Sequence, residues 1–188
     1  IVAQLAVPAP LVAGADLTAA EMAERIDAFV AASASELGDL AHGFEPGAPA
    51  PVVQLVFGTA APAAIAAVAV GLARAAARDG AATLLVDAGA SPVNAAAALV
   101  GPEVPGLLDV ELGHARPGEI GTRLDGSSIV LLPAASAGLR HRIAGHGERL
   151  AETIEDVADG FEHIVVDLGA ACPPALFSAL AELADDVL

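Results

Sequence analysis

Between residues 52 and 87 the chain places one long alanine-rich stretch between two short apolar runs. Val52–Phe57 is apolar and stops at Gly58; Thr83–Val86 is apolar and stops on Asp87. From Ala61 to Arg78 there is no proline after Pro62. That stretch is rich in alanine, the strongest helix former, and Gly80 follows as a stop signal. The pattern predicts a strand, a tight loop, a helix of about five turns and a second strand, a right-handed parallel βαβ unit. In many such units the loop after the first strand cradles a phosphate on the helix N-terminus.

The remaining pattern extends this unit in both directions. Residues 1–14, with Pro8 and Pro10, read as an extended lead-in. Thr18-Ala-Ala-Glu21 is a capping box that opens a helix over residues 19–40. Met22, Ile26, Phe29 and Val30 share one face of it, with Leu37 further along. Gly43, Pro46, Gly47 and Pro49 make residues 42–51 a loop. Beyond Asp87 the expected elements are a turn to Pro92, a short helix over 93–99, a helical turn over 107–112 and a short helix over 117–123. A strand over 127–132, a helix over 149–159 with Leu150, Ile154 and Val157 inward, and a strand over 164–166 ending on Asp167 follow. A helix over 173–183 and the start of another strand at 187 complete the chain. Alternation of this kind predicts a doubly wound, mostly parallel α/β sheet flanked by helices in three layers. One domain is expected: residues 1–45 as lead-in and amphipathic helix, 46–188 as the α/β body. The loops at 58–61, 87–92, 133–136 and 167–173 all leave the carboxyl ends of strands, where such sheets bind ligands.

Composition narrows the partners. With 8 basic residues against 24 acidic ones the formal net charge is −16, which argues against nucleic acid and anionic membrane as direct partners. A single cysteine, Cys172, excludes an internal disulfide and any cysteine-based zinc site and fits a reducing compartment. The long apolar run at 62–77 is alanine and too weakly hydrophobic for a membrane span. Ile1 as the first residue points to a trimmed chain, so a targeting segment or anchor ahead of it stays open.

The order of motifs resembles the MinD/ParA-type P-loop ATPases, and within them the cytoplasmic domain of bacterial tyrosine kinases (BY-kinases) that serve capsule and exopolysaccharide synthesis. The residues that carry the resemblance are TLLVDAG at 83–89, VPGLLDVELG at 104–113, IVLLPAAS at 129–136, the run from Glu148 through IVVDLGAACPP, and ELADDVL at 182–188. They span about residues 50 to 188. The PGLLDVELG segment followed by VLLPA is the most specific part.

The resemblance implies a nucleotide site, and the departures fall on it. The Walker GK[ST] triplet corresponds to Ala64-Ile65-Ala66. Ile65 stands where the phosphate-neutralising lysine belongs, and Ala66 where the Mg²⁺-holding hydroxyl belongs. Pro62 and Ala64 replace loop glycines, and Pro62 has no N–H to offer. The vestigial nucleotide-site positions are therefore Gly58, Thr59, Pro62, Ala64, Ile65, Ala66, Asp87 and Asp167. Gly89 takes the place of the second acid of the family's D-x-D. Phosphoryl transfer depends on positioning and charge neutralisation, so no catalytic residue is assigned. No cofactor is expected, with ATP and Mg²⁺ retained only if the altered loop still holds phosphate, and Asp87 and Asp167 as metal ligands only in that case. The chain has no tyrosine, so the family's tyrosine-rich tail is absent from it. The E-x-x-R-x-x-R assembly motif is not met at Glu24-Arg25.

The expected function is that of a catalytically inactive BY-kinase-like pseudo-ATPase supporting exopolysaccharide synthesis or export through protein–protein contacts. Its expected partners are a membrane-bound co-polymerase or an active kinase paralogue, with a homodimer compatible. Its expected place is the cytoplasm, reaching the inner membrane face through a partner. Two alternatives stand beside it: a MinD/ParA-like positioning pseudo-ATPase of the pilus or polar type, and an ATPase or tyrosine kinase with an atypical site, which would need a lysine from elsewhere. Other candidates have plainer readings. Asp87 and Asp167 can cap helices or satisfy loop amides. The segment from Gly138 to Gly147, with Arg140, His141, Arg142 and His146, reads as a solvated loop or weak helix, with anion binding as the functional alternative. Cys172 reads as a small buried hydrophobe rather than a nucleophile.

Overall fold

The computed structural model describes residues 18–41, 51–91, 94–101, 103–124, 126–170 and 172–188. The expected lead-in, the loop at 42–50, the boundary between residues 45 and 46, and Pro92 and Val93 lie outside the described residues. Helices α1 (Ala19–Ala32) and α2 (Ala34–Ala41) precede strand β1 (Val52–Gly58), helix α3 (Pro62–Ala76) and strand β2 (Thr83–Asp87). Helices α4 (Ala95–Leu99) and α5 (Leu107–Glu111) follow, then strands β3 (Thr122–Arg123) and β4 (Ile129–Pro133). Helix α6 (Gly147–Ala158), strand β5 (His163–Ala170), helix α7 (Pro174–Ala181) and strand β6 (Asp186–Val187) complete the order.

The strands form one six-stranded sheet in the order β3-β4-β2-β5-β1-β6. Every pairing is parallel except that of β3 with β4. The doubly wound, three-layer fold expected from the alternation is therefore the fold found. Two details of the sheet add to or change the sequence reading. First, β1 and β2 do not pair; β5 lies between them and bonds both. Second, the short helix expected over 117–123 is a 3-10 turn at Pro117–Glu119 followed by the antiparallel edge strand β3. Two residues of strand carry no readable period, so the pattern alone could not find it.

Side chains alternate across the sheet as a parallel strand buried on both faces requires. Val56, Leu85 and Val165 join α1, α2 and α3 in one core. Leu55, Leu84, Val86, Ile164 and Val166 join α6 and α7 in the other. Helix α3 is covered almost all round: twelve of its fifteen residues are buried, from Ala63 to Ala75. Its alanines let the sheet and the N-terminal helices approach closely.

The N-terminal segment is two helices rather than the one expected. The capping box forms: the Glu21 amide donates to Thr18 Oγ1 at 3.3 Å, and the Thr18 amide donates to Glu21 Oε2 at 2.9 Å. The helix breaks at Ser33, whose backbone leaves helical geometry (φ −105°, ψ 19°). The break brings Leu37 onto α3 at Gly71. A Cβ on Gly71 would lie 2.6 Å from Leu37 Cδ1. The one glycine inside the alanine-rich helix is the notch into which Leu37 fits.

The PGLLDVELG segment is anchored by a similar contact with backbone. A Cβ on Gly106 would lie 2.4 Å from the Pro133 carbonyl oxygen and 2.5 Å from the Ala135 nitrogen. Three residues on, Asp109 is buried. Its Oδ2 accepts from the Gly106 amide at 2.9 Å and the Ser136 amide at 2.7 Å, and its Oδ1 accepts from Ser136 Oγ at 2.7 Å. Burial pushes the Asp109 carboxyl up, but the bonds from Gly106 and Ser136, with the charge of His114, outweigh it and hold it below the ordinary carboxylate range. The pairing of this segment with LLPAAS is thus a physical clasp between α5 and the loop after β4.

Gly106→Ala should destabilise the fold by about 2–3 kcal/mol, because its Cβ meets backbone that cannot turn aside. Gly118→Ala, where nothing lies within 4 Å of an added Cβ, should change stability little. Urea unfolding of the two variants against the parent chain checks the contrast.

Candidate functional site

Parallel register brings the expected site positions to one sheet edge. Asp87 at the end of β2 lies opposite Asp167 of β5 and Pro133 of β4. Val56 of β1 lies opposite Asp167, and a register shift follows it, so that Phe57 faces Gly169 and Gly58 faces Ala170. Gly58, Asp87 and Asp167 therefore belong to three neighbouring strand ends. Thr59 and Pro62 follow β1 in the loop and in the first turn of α3.

The start of α3, which follows the loop after β1, is packed with hydrocarbon. Ile65 is 6% exposed, and Ala64 and Ala66 are fully buried. A Cβ on Gly58 would lie 3.0 Å from Ile65 Cδ1, so the isoleucine is folded back onto the strand end. Pro62 offers no N–H, and the Ala64 and Ile65 amides both donate to the Ala61 carbonyl, at 2.8 and 3.3 Å. Helix α3 has neither an acid nor a side-chain cap at its start. The chain contains no lysine; all 8 basic residues are arginine.

The two acids stand in a charge cluster that the loops alone do not complete. Asp87 is 0% and Arg140 5% exposed. The guanidinium binds the carboxylate with both arms: Nη1 to Oδ1 at 3.0 Å and Nη2 to Oδ2 at 2.9 Å. Nη1 also donates to the Gly89 carbonyl at 2.7 Å. Asp87 Oδ2 accepts in addition from the Ala96 amide in the first turn of α4, at 2.8 Å. Paired, bidentate geometry of this kind gives a buried guanidinium and carboxylate their best compensation for lost water.

Asp167 is 1% exposed, and its Oδ1 accepts from the Gly169 amide at 2.9 Å. Burial and then the neighbouring Asp87 charge push its pKa from 3.8 up to about 8, against smaller opposing pulls from the Gly169 bond and Arg140. The Asp167 carboxyl thus holds its proton far above the ordinary carboxylate range, beside the Arg140–Asp87 pair. Gly169 has φ +70°, and a Cβ on it would lie 3.1 Å from Gly89 Cα. The two glycines let the loop after β2 touch strand β5 beside the acids.

Arg140 differs from the sequence reading. The segment from Gly138 to Gly147 reads as solvated, and that holds for His141 and Arg142, which are exposed. Arg140 instead opens a 3-10 turn (Arg140–Gly145) and turns inward. His146 approaches Glu111 at 3.4 Å, and Arg149 bonds Glu111 and Glu152. One signal pointed toward an inward arginine: two acids at buried strand ends, with no cation in their own loops, require a counter-charge from elsewhere. Nothing in spacing says which of the arginines supplies it.

Mg·ATP, which the fold family implies, does not fit these residues. Both oxygens of Asp87 are held by Arg140, Ala66 brings no hydroxyl, and Ile65 lies on the strand end. Among the described residues no group of three or more His, Cys, Asp or Glu side chains is placed to hold a metal ion. Cys172 is half-buried, and burial pushes its thiol up, opposite to an activated nucleophile. A separate apolar cavity of about 430 Å³ lies between α5 and α6, over Leu84, Val130 and Leu132, with Arg149 and Asp156 among its polar lining residues.

No protein-family model matches the sequence, and no curated protein matches it either. Solved structures do match. The VpsO kinase domain is 20% identical with a TM-score of 0.66, over 87% of this chain and 79% of that one. The kinase domain of the Escherichia coli tyrosine kinase ETK is 13% identical with a TM-score of 0.64, over 85% and 62%. The septum site-determining protein MinD from Pyrococcus horikoshii, complexed with Mg-ADP, is 19% identical with a TM-score of 0.58, over 73% and 56%. The chain thus spans about three fifths of the ETK domain and just over half of MinD. At these identities the likeness is one of fold: the chain has the fold of the BY-kinase domains and the MinD/ParA-type P-loop ATPases, as the order of its motifs led to expect.

The raised Asp167 pKa has a defined sign. The folded state keeps a proton that the unfolded chain releases above 3.8, so this group's contribution is complete below 3.8 and is lost as pH rises to about 8. Asp167→Asn, which keeps an acceptor without the charge, should flatten that decline. Urea unfolding of both proteins across this pH range measures it; identical pH profiles would rule it out.

Proposed function

We propose that this chain is a non-catalytic relative of the BY-kinase domain, a pseudo-ATPase that works by binding other proteins. The observation that carries this reading is the closed charge cluster at the strand edge. The bidentate Arg140–Asp87 pair occupies both oxygens of Asp87, one of the two acids that the family resemblance would give to Mg²⁺. Ile65 lies where the lysine would stand, in a chain without lysine. Catalysis of phosphoryl transfer is almost entirely positioning plus charge stabilisation, and the loop offers neither.

The context is drawn from the resemblance. The reading places the protein with exopolysaccharide synthesis or export, in contact with a membrane-bound co-polymerase or an active kinase paralogue, in the cytoplasm against the inner membrane face. A homodimer is compatible with it. Among the described residues no helix is long and apolar enough to cross a membrane; in this reading the partner brings the chain to the membrane face. The likeness to MinD, and to the McdA protein of Cyanothece at 21% identity and a TM-score of 0.54, favours a second reading: a positioning pseudo-ATPase that localises machinery. Loss of extracellular polysaccharide in a deletion strain speaks for the first; misplaced machinery with normal polysaccharide speaks for the second.

Calorimetric titration with Mg·ATP and Mg·ADP, at low salt and high protein concentration, tests the shared core of both. No heat up to millimolar nucleotide is the expected result. Saturable binding would overturn the pseudo-ATPase reading and call for a hydrolysis assay.

A further inference from the structure

We propose that the strand edge is a cation site whose resident cation is the chain's own Arg140, and that its acceptors are arranged to take a guanidinium group specifically. Three acceptors from two points of the chain converge on this one side chain: both carboxylate oxygens of Asp87 and the Gly89 carbonyl, at 2.7 to 3.0 Å. Their layout is that of a fork, which suits the planar guanidinium and not a point charge. The Asp87 backbone helps to fix it: its carbonyl accepts from the Ala134 amide at 2.9 Å, at the start of the loop that leads towards Arg140. The Ala96 amide also donates to Asp87 Oδ2, at 2.8 Å. Arg140 itself is the first residue of a 3-10 turn, 53 positions from Asp87, so the ion pair ties the crossover after β4 to the end of β2. Among the described residues no buried side-chain polar atom lacks a hydrogen-bond partner, so the site is fully satisfied with Arg140 in it.

The consequence is chemical. With Arg140 in place the edge has no use for a free cation. Without it, Asp87 is a buried carboxylate with no counter-charge beside a guanidinium-shaped space. A buried charge left without its partner is strongly destabilising, and a ligand that binds only the folded form restores stability by mass action. This inference deepens the reading of the edge as non-catalytic. Its test contains no nucleotide, so the two can fail separately.

The test uses Arg140→Ala. Its melting temperature should rise saturably with guanidinium chloride at concentrations below the denaturing range, relative to matched sodium chloride. The parent chain should show only the ordinary decline, and Asp87→Asn/Arg140→Ala should lose the rise. No rise in a folded Arg140→Ala would overturn the proposal, as would an equal rise in the double variant. So would saturable Mn²⁺ binding by Arg140→Ala without a guanidinium response, which would make the acids a metal site. Should Arg140→Ala not fold, Asp87→Asn/Arg140→Gln decides. It should melt higher than Arg140→Gln alone, because the stranded carboxylate is gone. A double variant no more stable than that single one would overturn the proposal.

Discussion

Two carboxylates set side by side at the buried end of a parallel sheet cannot both be charged without help. Register alone creates the problem: Asp87 and Asp167 face one another across β2 and β5, and both are cut off from water. The chain answers it with the Arg140 guanidinium on Asp87 and with a carboxyl at Asp167 whose pKa is pushed up. Much of the upper edge follows from that choice. The 3-10 turn after β4 must come inward to deliver Arg140, the Gly89 carbonyl must face it, and the first turn of α4 must present the Ala96 amide to Asp87. Glycines at 89 and 169 let the loop after β2 lie against strand β5 next to the acids.

Below the edge the molecule is held by close backbone approach more than by large side chains. Helix α3 is buried nearly on all sides, and its one arginine, the half-buried Arg74, pairs with Asp27 of α1. A helix in that position has its first turn fixed by its last three. Ile65 is therefore part of the core on the α1–α3 side of the sheet, and the loop after β1 has become an extension of that core. On the other face, Gly106 and Asp109 hold α5 against the loop leaving β4, which is the same loop that leads to Arg140. The charge cluster and the packing thus share a wall.

The sequence made most of the scaffold legible and little of the cluster. Runs such as Val52–Phe57 and Thr83–Val86, bounded by glycine and acid, are strong signals because burial on both faces demands continuous apolar strands. The capping box at Thr18 was readable because it is local. The break at Ser33 was not, since it depends on Leu37 meeting Gly71 across two elements. β3 was too short to carry a period. The positions of Asp87, Asp167 and Ile65 at one edge followed from strand ends. Arg140 did not, because polar spacing in its segment resembles a surface loop, and its burial is decided by a partner 53 residues away. Local pattern reports which residues want water on average; it does not report which charge is needed inside to balance another.

The closed cluster also shapes what descent could do with this protein. An acid at position 89 would begin with a Cβ already 3.4 Å from Gly169 Cα and 3.8 Å from Asp87 Oδ1, and would bring a third carboxylate to a cluster that already needs a proton. A lysine at 65 would put a second cation into hydrocarbon, with Asp87 already paired to Arg140. Removing Arg140 first strands Asp87. Removing either partner of the Arg140–Asp87 pair leaves the other buried and uncompensated. The ion pair thus couples these positions: a change at 65, 89 or 140 taken alone meets a steric or charge conflict that only a matching change elsewhere at the edge relieves.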